Sequence, residues 1–151
     1  MSEEKRMGLT ARKYLTQLEE LEINISQDLE MLEEMKASAC GLRGADYDRE
    51  KVQTSHTADS LGNAVTQYVS LDGKIHEEIE RFTSAKNRII TEIRGLHDRK
   101  YTQLLFKVYV QFKSIRQAAD EMKMSYRYTI QVHNQALKSF GETYTDLRYL
   151  A

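Results

Sequence analysis

The chain of 151 residues contains no proline and only seven glycines, and these shortages limit what it can fold into. Proline interrupts helices and shapes tight loops, so its absence permits long unbroken helices. The chain has one cysteine, Cys40, which excludes an intramolecular disulfide and fits a reducing compartment. With 40% hydrophobic and 30% charged residues, the composition predicts an all-α protein whose helices keep large solvated faces.

Long apolar runs are missing as well. No stretch approaches the roughly 18 apolar residues that a membrane span requires. The start of the chain, Met1 to Arg12, is polar and lacks the apolar core of a signal peptide. We therefore expect a soluble cytoplasmic protein with no membrane partner.

The residue patterns of common catalytic and metal sites are also absent. The four histidines have no metal-ligand spacing, and the run that begins at His76 lacks the second histidine of a zinc-protease motif. There is no glycine-rich phosphate loop and no catalytic constellation. The sequence predicts a protein that is not an enzyme and binds no metal or cofactor. His133 is the one histidine for which we expect a place near a binding surface.

Charge is distributed unevenly along the chain. Residues 1–96 contain 13 Lys and Arg against 18 Asp and Glu, whereas residues 97–151 contain 9 against 5. An acidic first part is thus joined to a basic second part, with net charges of −5 and +4. A basic domain on an acidic arm indicates that an anionic partner binds the C-terminal part.

Two long helices are predicted in residues 1–96. The first runs from Thr10, its N-cap, to Ala39, with Gly41 as a stop. Its apolar residues recur at steps of three or four, at Tyr14, Leu18, Leu21, Ile25, Leu29, Leu32, Met35 and Ala39. A loop over about 41–56 follows, and Ser55 or Thr57 is expected to cap the second helix.

The second helix carries a seven-residue apolar repeat, which is typical of a left-handed coiled coil. The repeat comprises Leu61, Tyr68, Ile75, Phe82, Ile89 and Leu96, with Val65, Ile79 and Ile93 as companion positions. Its partner is either the first helix, folded back as an antiparallel coiled-coil hairpin, or a second copy of the chain in a homodimer. We expect residues 1–96 to form this hairpin.

Residues 97–151 are predicted to form a small helix-turn-helix domain. A break at His97 to Arg99 precedes an apolar helix that ends near Lys113. Ser114 then caps a short helix, Ile115 to Met122, and Ser125 caps a longer one, Tyr126 to Phe140, which stops at Gly141. Two short helices joined by a three-residue turn suggest a helix-turn-helix, and Ala118 and Ala119 are small enough for a close crossing.

The longer helix offers a surface suited to DNA, since no acidic residue occurs from Lys123 to Gly141. Arg, Gln and Asn side chains pair with base edges in the major groove, while Ser, Tyr and Lys suit phosphates. The candidate DNA-binding residues on this helix and its cap are Ser125, Tyr126, Arg127, Tyr128, Ile130, Gln131, Asn134, Gln135 and Lys138. Lys113, Arg116 and Lys123 are expected to add phosphate contacts from the first helix and the turn.

The run from Ser114 to Phe140 resembles region 4.2 of sigma-70-type factors. The matching features are the capping serine, the turn with Met122, Met124 and Ser125, then Gln131 and Ala136 to Lys138. The whole chain is similar to a family of small sigma-like proteins encoded in phages and prophages of Gram-positive bacteria. Members carry an N-terminal coiled-coil pair, a loop similar to Tyr47 to Ser55, and this C-terminal motif.

This resemblance implies a transcriptional regulator of phage late genes that acts in the bacterial host cell on double-stranded DNA. We expect the coiled-coil hairpin to mediate either self-association or docking on RNA polymerase. It places base recognition on Tyr126, Arg127, Ile130 and Gln131. Two departures stand out: Lys123 occupies a turn position where glycine is usual, and Ile130 one where a basic residue is common. The chain also lacks sigma region 2, so it cannot melt a promoter by itself.

Two other functions are consistent with the same features. A small terminase subunit of a DNA-packaging motor also combines a helix-turn-helix with coiled-coil oligomerisation. A protein-interaction module that binds RNA polymerase or a host factor would need no DNA contact at all.

Overall fold

The computed structural model describes residues 8–39 and 54–150, with the side chains of Ala39 and of 54–61 excepted. These residues form helices and connections and contain no strand, so the protein is all-α. The helices are α1 (Ala11–Ala39), α2 (Thr54–Arg94), α3 (Arg99–Leu105), α4 (Ile115–Glu121) and α5 (Tyr126–Thr143), and a π-helical turn, Phe106–Val110, continues α3. No described helix is both long and apolar enough to cross a membrane.

The chain divides into two compact units, one built from 1–22 with 81–151 and the other from 23–80. The start of α1 and the end of α2 thus belong with the C-terminal helices, whereas the predicted boundary lay at residue 96. Most of the predicted loop 41–56, including the stretch from Tyr47, lies outside the described residues. The unit containing 81–151 holds all of the candidate DNA-binding residues.

Side-chain caps set the starts of four helices. Thr10 Oγ1 accepts the Lys13 N–H at 3.3 Å, and Asp98 accepts the N–H of Tyr101 at 3.1 Å. Ser114 forms a full capping box with Gln117, and Ser125 accepts the N–H of Tyr128. These bonds satisfy N–H groups that have no partner within the helix. The predicted caps Thr10, Ser114 and Ser125 are confirmed.

Three helix ends are closed by residues with positive φ although none is glycine: His97 (58°), Phe112 (56°) and Lys123 (56°). At the last of these, Met124 N–H donates back to Ala119 O at 2.9 Å, the bond that typically accompanies a left-handed residue after a helix. A non-glycine residue in this conformation costs roughly 1–2 kcal/mol. The chain therefore turns sharply after α2, after the π-helical turn and after α4 with non-glycine residues at the left-handed positions.

One apolar core joins α1, α2, α3 and α5 in the first unit. Its fully buried side chains include Leu15, Leu18, Ile89, Ile93, Leu105, Ala136 and Phe140. Tyr14 lies among them, 5.8 Å from Phe140 between ring centroids, and its hydroxyl donates to the Glu92 carboxylate. Burial and the neighbouring Glu92 raise the pKa of Tyr14, so the phenol keeps its proton and the hydrogen bond.

The C-terminal tail, residues 144–150, packs back on this core in a non-helical conformation. Leu147 is buried, and its carbonyl accepts the N–H of Leu9 at 2.8 Å. The Leu150 N–H donates to Gln17 Oε1 at 2.8 Å. A methyl group at Gly8 would lie 2.4 Å from Leu147 O, so this close backbone approach requires glycine.

Several predicted details of the helices are wrong. The α2 helix begins at Thr54, so Ser55 and Thr57 lie inside it rather than capping it. The α5 helix continues through Gly141 to Thr143, because Phe140 and the residues around it pack on the core. Among the heptad companions, Ile93 is buried, whereas Val65 and Ile79 are 56% and 42% exposed. Gly41, the predicted stop of α1, lies outside the described residues.

The second unit contains the remaining parts of α1 and α2. Among its described side chains, the buried apolar ones are Ile25 and Ile75. Lys74 Nζ lies 3.4 Å from Asp28 Oδ2 on α1 and 3.6 Å from Glu78 Oε1 one turn along α2. The carboxylate of Asp28 raises the pKa of Lys74, because its negative charge stabilises the ammonium form.

Candidate nucleic-acid interface

The α4 and α5 helices cross closely around small side chains. Ala118 is fully buried and Ala119 is 2% exposed, as predicted for a tight crossing. Leu104 of α3 and Val132 of α5 complete a small apolar cluster with Ala118, and Met122 packs against it. Since this cluster links three helices, it fixes the orientation of α5 relative to α3 and α4.

The connection between α4 and α5 spans Met122 to Ser125. Lys123 occupies the left-handed position in this connection, where the resemblance to sigma region 4.2 predicts glycine, and its side chain is exposed. The connection therefore has the left-handed residue expected of this turn, at the energetic cost of a side chain in that conformation. It also presents an ammonium group beside the start of α5.

The α5 helix has a buried side and an exposed side. Thr129, Val132, His133, Ala136 and Phe140 are buried, on one side of the helix. Exposed residues on the other side are Tyr126, Arg127, Tyr128, Gln131, Asn134, Gln135 and Lys138, together with the cap Ser125. Ile130 is half-buried at the edge of this face. Steps of three and four place Arg127, Gln131, Asn134 and Lys138 in one stripe along its middle.

Cations on this surface differ in whether a carboxylate neutralises them. Among the described residues, no carboxylate lies within 4.0 Å of the charged groups of Arg116, Lys123, Arg127 or Lys138. Lys113 differs, because its ammonium is half-buried and forms an ion pair with Glu121. Lys107 also approaches Glu121, at 3.5 Å.

The ion pair changes the expectation for Lys113. The hydrogen bond from Lys113 lowers the pKa of Glu121, so the carboxylate stays ionised at neutral pH. Lys113 would have to leave Glu121 to reach a phosphate. Of the twelve residues predicted to bind DNA, it is the one whose charge is paired with a carboxylate.

Two cation–tyrosine contacts stand beside the first turn of α5. The Arg116 guanidinium of α4 lies 4.7 Å from the ring centroid of Tyr126. The Lys100 ammonium of α3 lies 5.2 Å from the ring centroid of Tyr128 and donates a hydrogen bond to its hydroxyl at 2.9 Å. Contacts of this kind at exposed sites contribute about 0.5–1 kcal/mol. They hold long side chains close to α5 that would otherwise sample many rotamers.

Sequence reasoning missed Lys100 and its neighbour Arg99. Both are exposed at the start of α3, far from α5 in the chain, but the fold brings Lys100 against Tyr128. The only signal in the sequence was the basic pair that follows the cap Asp98. A basic pair does not by itself tell which other segment it will lie beside, so it did not indicate a surface shared with α5.

His133 does not lie at the exposed surface, which corrects the expectation that it faces a binding partner. It is 2% exposed, and its Nε2 lies 2.8 Å from the hydroxyl oxygen of Tyr109. The two rings stack with centroids 5.6 Å apart. Burial, and then the charge of Arg12, lower the pKa of His133, so the imidazole is neutral at physiological pH and serves packing within the domain.

No cluster of three or more potential metal ligands occurs within residues 8–39 and 54–150. An open groove of about 660 Å³ lies between the start of α3 and the α4–α5 connection, lined in part by Arg99, Lys100, Met124 and Tyr128. Comparisons with protein-family models, curated proteins and solved structures gave no match to the chain.

Proposed function

We propose that the protein binds double-stranded DNA through a helix-turn-helix formed by α4 and α5, with the exposed face of α5 in the major groove. The observation that carries the proposal is the stripe of Arg127, Gln131, Asn134 and Lys138. It is exposed, contains no acid and retains cations without carboxylate partners. Guanidinium and amide groups form paired hydrogen bonds with guanine and adenine edges, and the groove is wide enough for an α-helix.

The crossing of α4 and α5 supports the same proposal. An α5 helix packed rigidly through Val132 and Ala136 presents its outer face without rearrangement. Binding then costs little conformational entropy, because the recognition side chains already stand on a fixed helix. This placement supports the proposal, because a recognition helix has to present its outer face in a fixed orientation.

In this proposal the protein acts as a transcriptional regulator of the phage type that its sequence resembles. The helices α1 and α2 form an antiparallel coiled-coil hairpin that mediates self-association or docking on RNA polymerase. Val65, Val69 and Ile79 leave apolar surface exposed on α2, which supports a partner for that helix. The mass of the assembly in solution tests this part: a monomer or a dimer favours regulation, whereas a ring of many copies would favour a DNA-packaging subunit.

The test of DNA binding begins with selection of bound fragments from a random duplex library. On a selected duplex, Arg127→Ala and Gln131→Ala should each weaken binding by roughly 1–3 kcal/mol and relax the preference for the bases they contact. Arg94→Ala and Gln111→Ala remove the same side-chain types from exposed positions outside α5 and serve as matched controls. Wild-type affinity for both α5 variants would show that the assigned face is wrong.

If the wild-type protein selects no duplex and shows no salt-dependent affinity for any, the proposal fails as a whole. Recovery of RNA polymerase or another protein by the immobilised chain would then favour the interaction-module alternative.

A further inference from the structure

The two cation–tyrosine pairs occupy opposite sides of α5. Successive helical residues are 100° apart, so Tyr126 and Tyr128 project about 200° from each other around the helix axis. Tyr126 meets Arg116 from α4, and Tyr128 meets Lys100 from α3. The exposed stripe that begins at Arg127 lies between them. The first turn of α5 therefore has a cation on each flank and the base-reading stripe in the middle.

The major groove of DNA has a matching arrangement, with base edges in the middle and a phosphate backbone on each side. The groove is about 12 Å wide, its floor carries the base edges and its two rims are the phosphate backbones of the two strands. A protein that enters with one helix reaches both rims only if it has donors on both flanks of that helix.

We propose that the two pairs clamp the duplex across its groove: Arg116 with Tyr126 contacts phosphates of one strand, and Lys100 with Tyr128 contacts phosphates of the other. This inference rests on the proposed DNA-binding function and adds a residue, Lys100, and a geometry, simultaneous contact with both strands. It requires a duplex, since a single strand has only one backbone.

The Lys100 side is chemically prepared for a phosphate. Its ammonium has three donors, and the hydrogen bond to Tyr128 uses one of them. Within the described part of the chain, no carboxylate lies within 4.0 Å of Lys100. Asp98 lines the same groove, but its carboxylate accepts the N–H of Tyr101 as the cap of α3. The groove is open and leaves room for a backbone phosphate beside Lys100.

The Arg116 side is prepared in a similar way. Its guanidinium is exposed and rests over the Tyr126 ring, so its planar donors remain free for a phosphate. The contrast with Lys113 is informative, because Lys113 lies just before α4 but is paired with Glu121. The structure therefore selects Arg116 and Lys100, rather than Lys113, as the two flanking phosphate contacts.

The first experiment measures duplex affinity against salt concentration for the full chain. The logarithm of the binding constant falls with the logarithm of salt concentration by about 0.9 for each phosphate contacted. Lys100→Gln and Arg116→Gln should each reduce this slope by about 1, and the double variant by about 2. Lys13→Gln removes an exposed lysine of α1 as the control and should leave the slope unchanged. Lys100→Arg retains the charge and should retain the slope.

The second experiment assigns the strands by phosphate ethylation interference on a duplex selected by the wild-type protein. We expect Lys100→Gln to abolish interference at phosphates of one strand, and Arg116→Gln at phosphates of the other. The clamp is overturned if the wild-type protein binds the duplex but Lys100→Gln keeps the full slope, or if both variants lose contacts on the same strand. Absence of any duplex binding by the wild-type protein would instead reject the proposed function on which the clamp depends.

Discussion

The buried pair of His133 and Tyr109 makes the stability of the C-terminal domain dependent on pH. His133 lies on α5 and Tyr109 in the π-helical turn, with 2.8 Å between the ring nitrogen and the hydroxyl oxygen. Burial lowers the pKa of His133 in the folded protein. In the unfolded chain the pKa of a histidine is about 6.5. Below about pH 6.5, His133 is therefore protonated in the unfolded state but remains neutral in the folded state until the pH reaches its lower folded pKa.

The direction and size of the effect follow from this difference. Folding favours the neutral form of His133. Its contribution to the free energy of unfolding is therefore fully present above about pH 6.5 and is lost as the pH falls toward the lower pKa of the folded protein. Between the two pKa values, one extra proton bound by the unfolded state reduces the free energy of unfolding by about 1.4 kcal/mol per pH unit. Below the folded pKa, both states are protonated and this loss stops.

The assay is urea unfolding of the full chain, followed by circular dichroism between pH 5 and 8, for the wild type and for His133→Gln. Glutamine keeps a polar group within reach of Tyr109 but does not titrate. We expect the wild type to lose more stability than the variant between pH 6.5 and 5. Tyr109→Phe leaves the buried imidazole nitrogen without its partner and should cost about 1–3 kcal/mol at pH 7.5. Identical pH profiles for the wild type and His133→Gln would refute the reasoning.

Three further substitutions test how the domain is held together, each by urea unfolding of the full chain. Leu147→Ala should lower the free energy of unfolding by about 2–5 kcal/mol, because it opens a cavity where the tail is buried. Tyr149→Ala, at an exposed tail position, should lower it by less than about 1 kcal/mol. Equal losses would mean that the tail does not pack on the core. Lys123→Gly removes the strain of the left-handed conformation but gives the unfolded chain more conformational freedom, so the free energy of unfolding should rise by about 0–1 kcal/mol. Lys123→Val should destabilise the protein, and a valine variant as stable as the wild type would contradict the positive φ. Ser114→Ala removes the α4 capping box and should cost about 0.5–2 kcal/mol, with Ser139→Ala in mid-α5 as the control.

Much of the candidate interface was predictable because its determinants are local. Ser114 and Ser125 signal helix starts by side-chain capping, which depends only on residues three positions away. The exposed stripe from Arg127 to Lys138 follows from the alternation of apolar and polar residues at helical spacing, since the apolar residues must face the core.

Other features depended on which segments meet. The companion positions Val65 and Ile79 share the heptad spacing with Ile93, yet only Ile93 is buried, because burial depends on the partner that packs there and not on spacing. The end of α5 also departed from prediction, since packing around Phe140 favours helix beyond Gly141 by more than the roughly 1 kcal/mol that glycine costs in a helix.

The amino-acid sequence by itself determined the all-α character, the caps and the polar face of α5, because periodicity and capping act within a few residues along one helix. Only the tertiary structure decided that Lys113 is paired with Glu121, that Lys100 stands beside Tyr128 and that His133 is buried against Tyr109. Each of these outcomes joins residues from different elements, and the free energy of such contacts exists only once packing has brought the elements together.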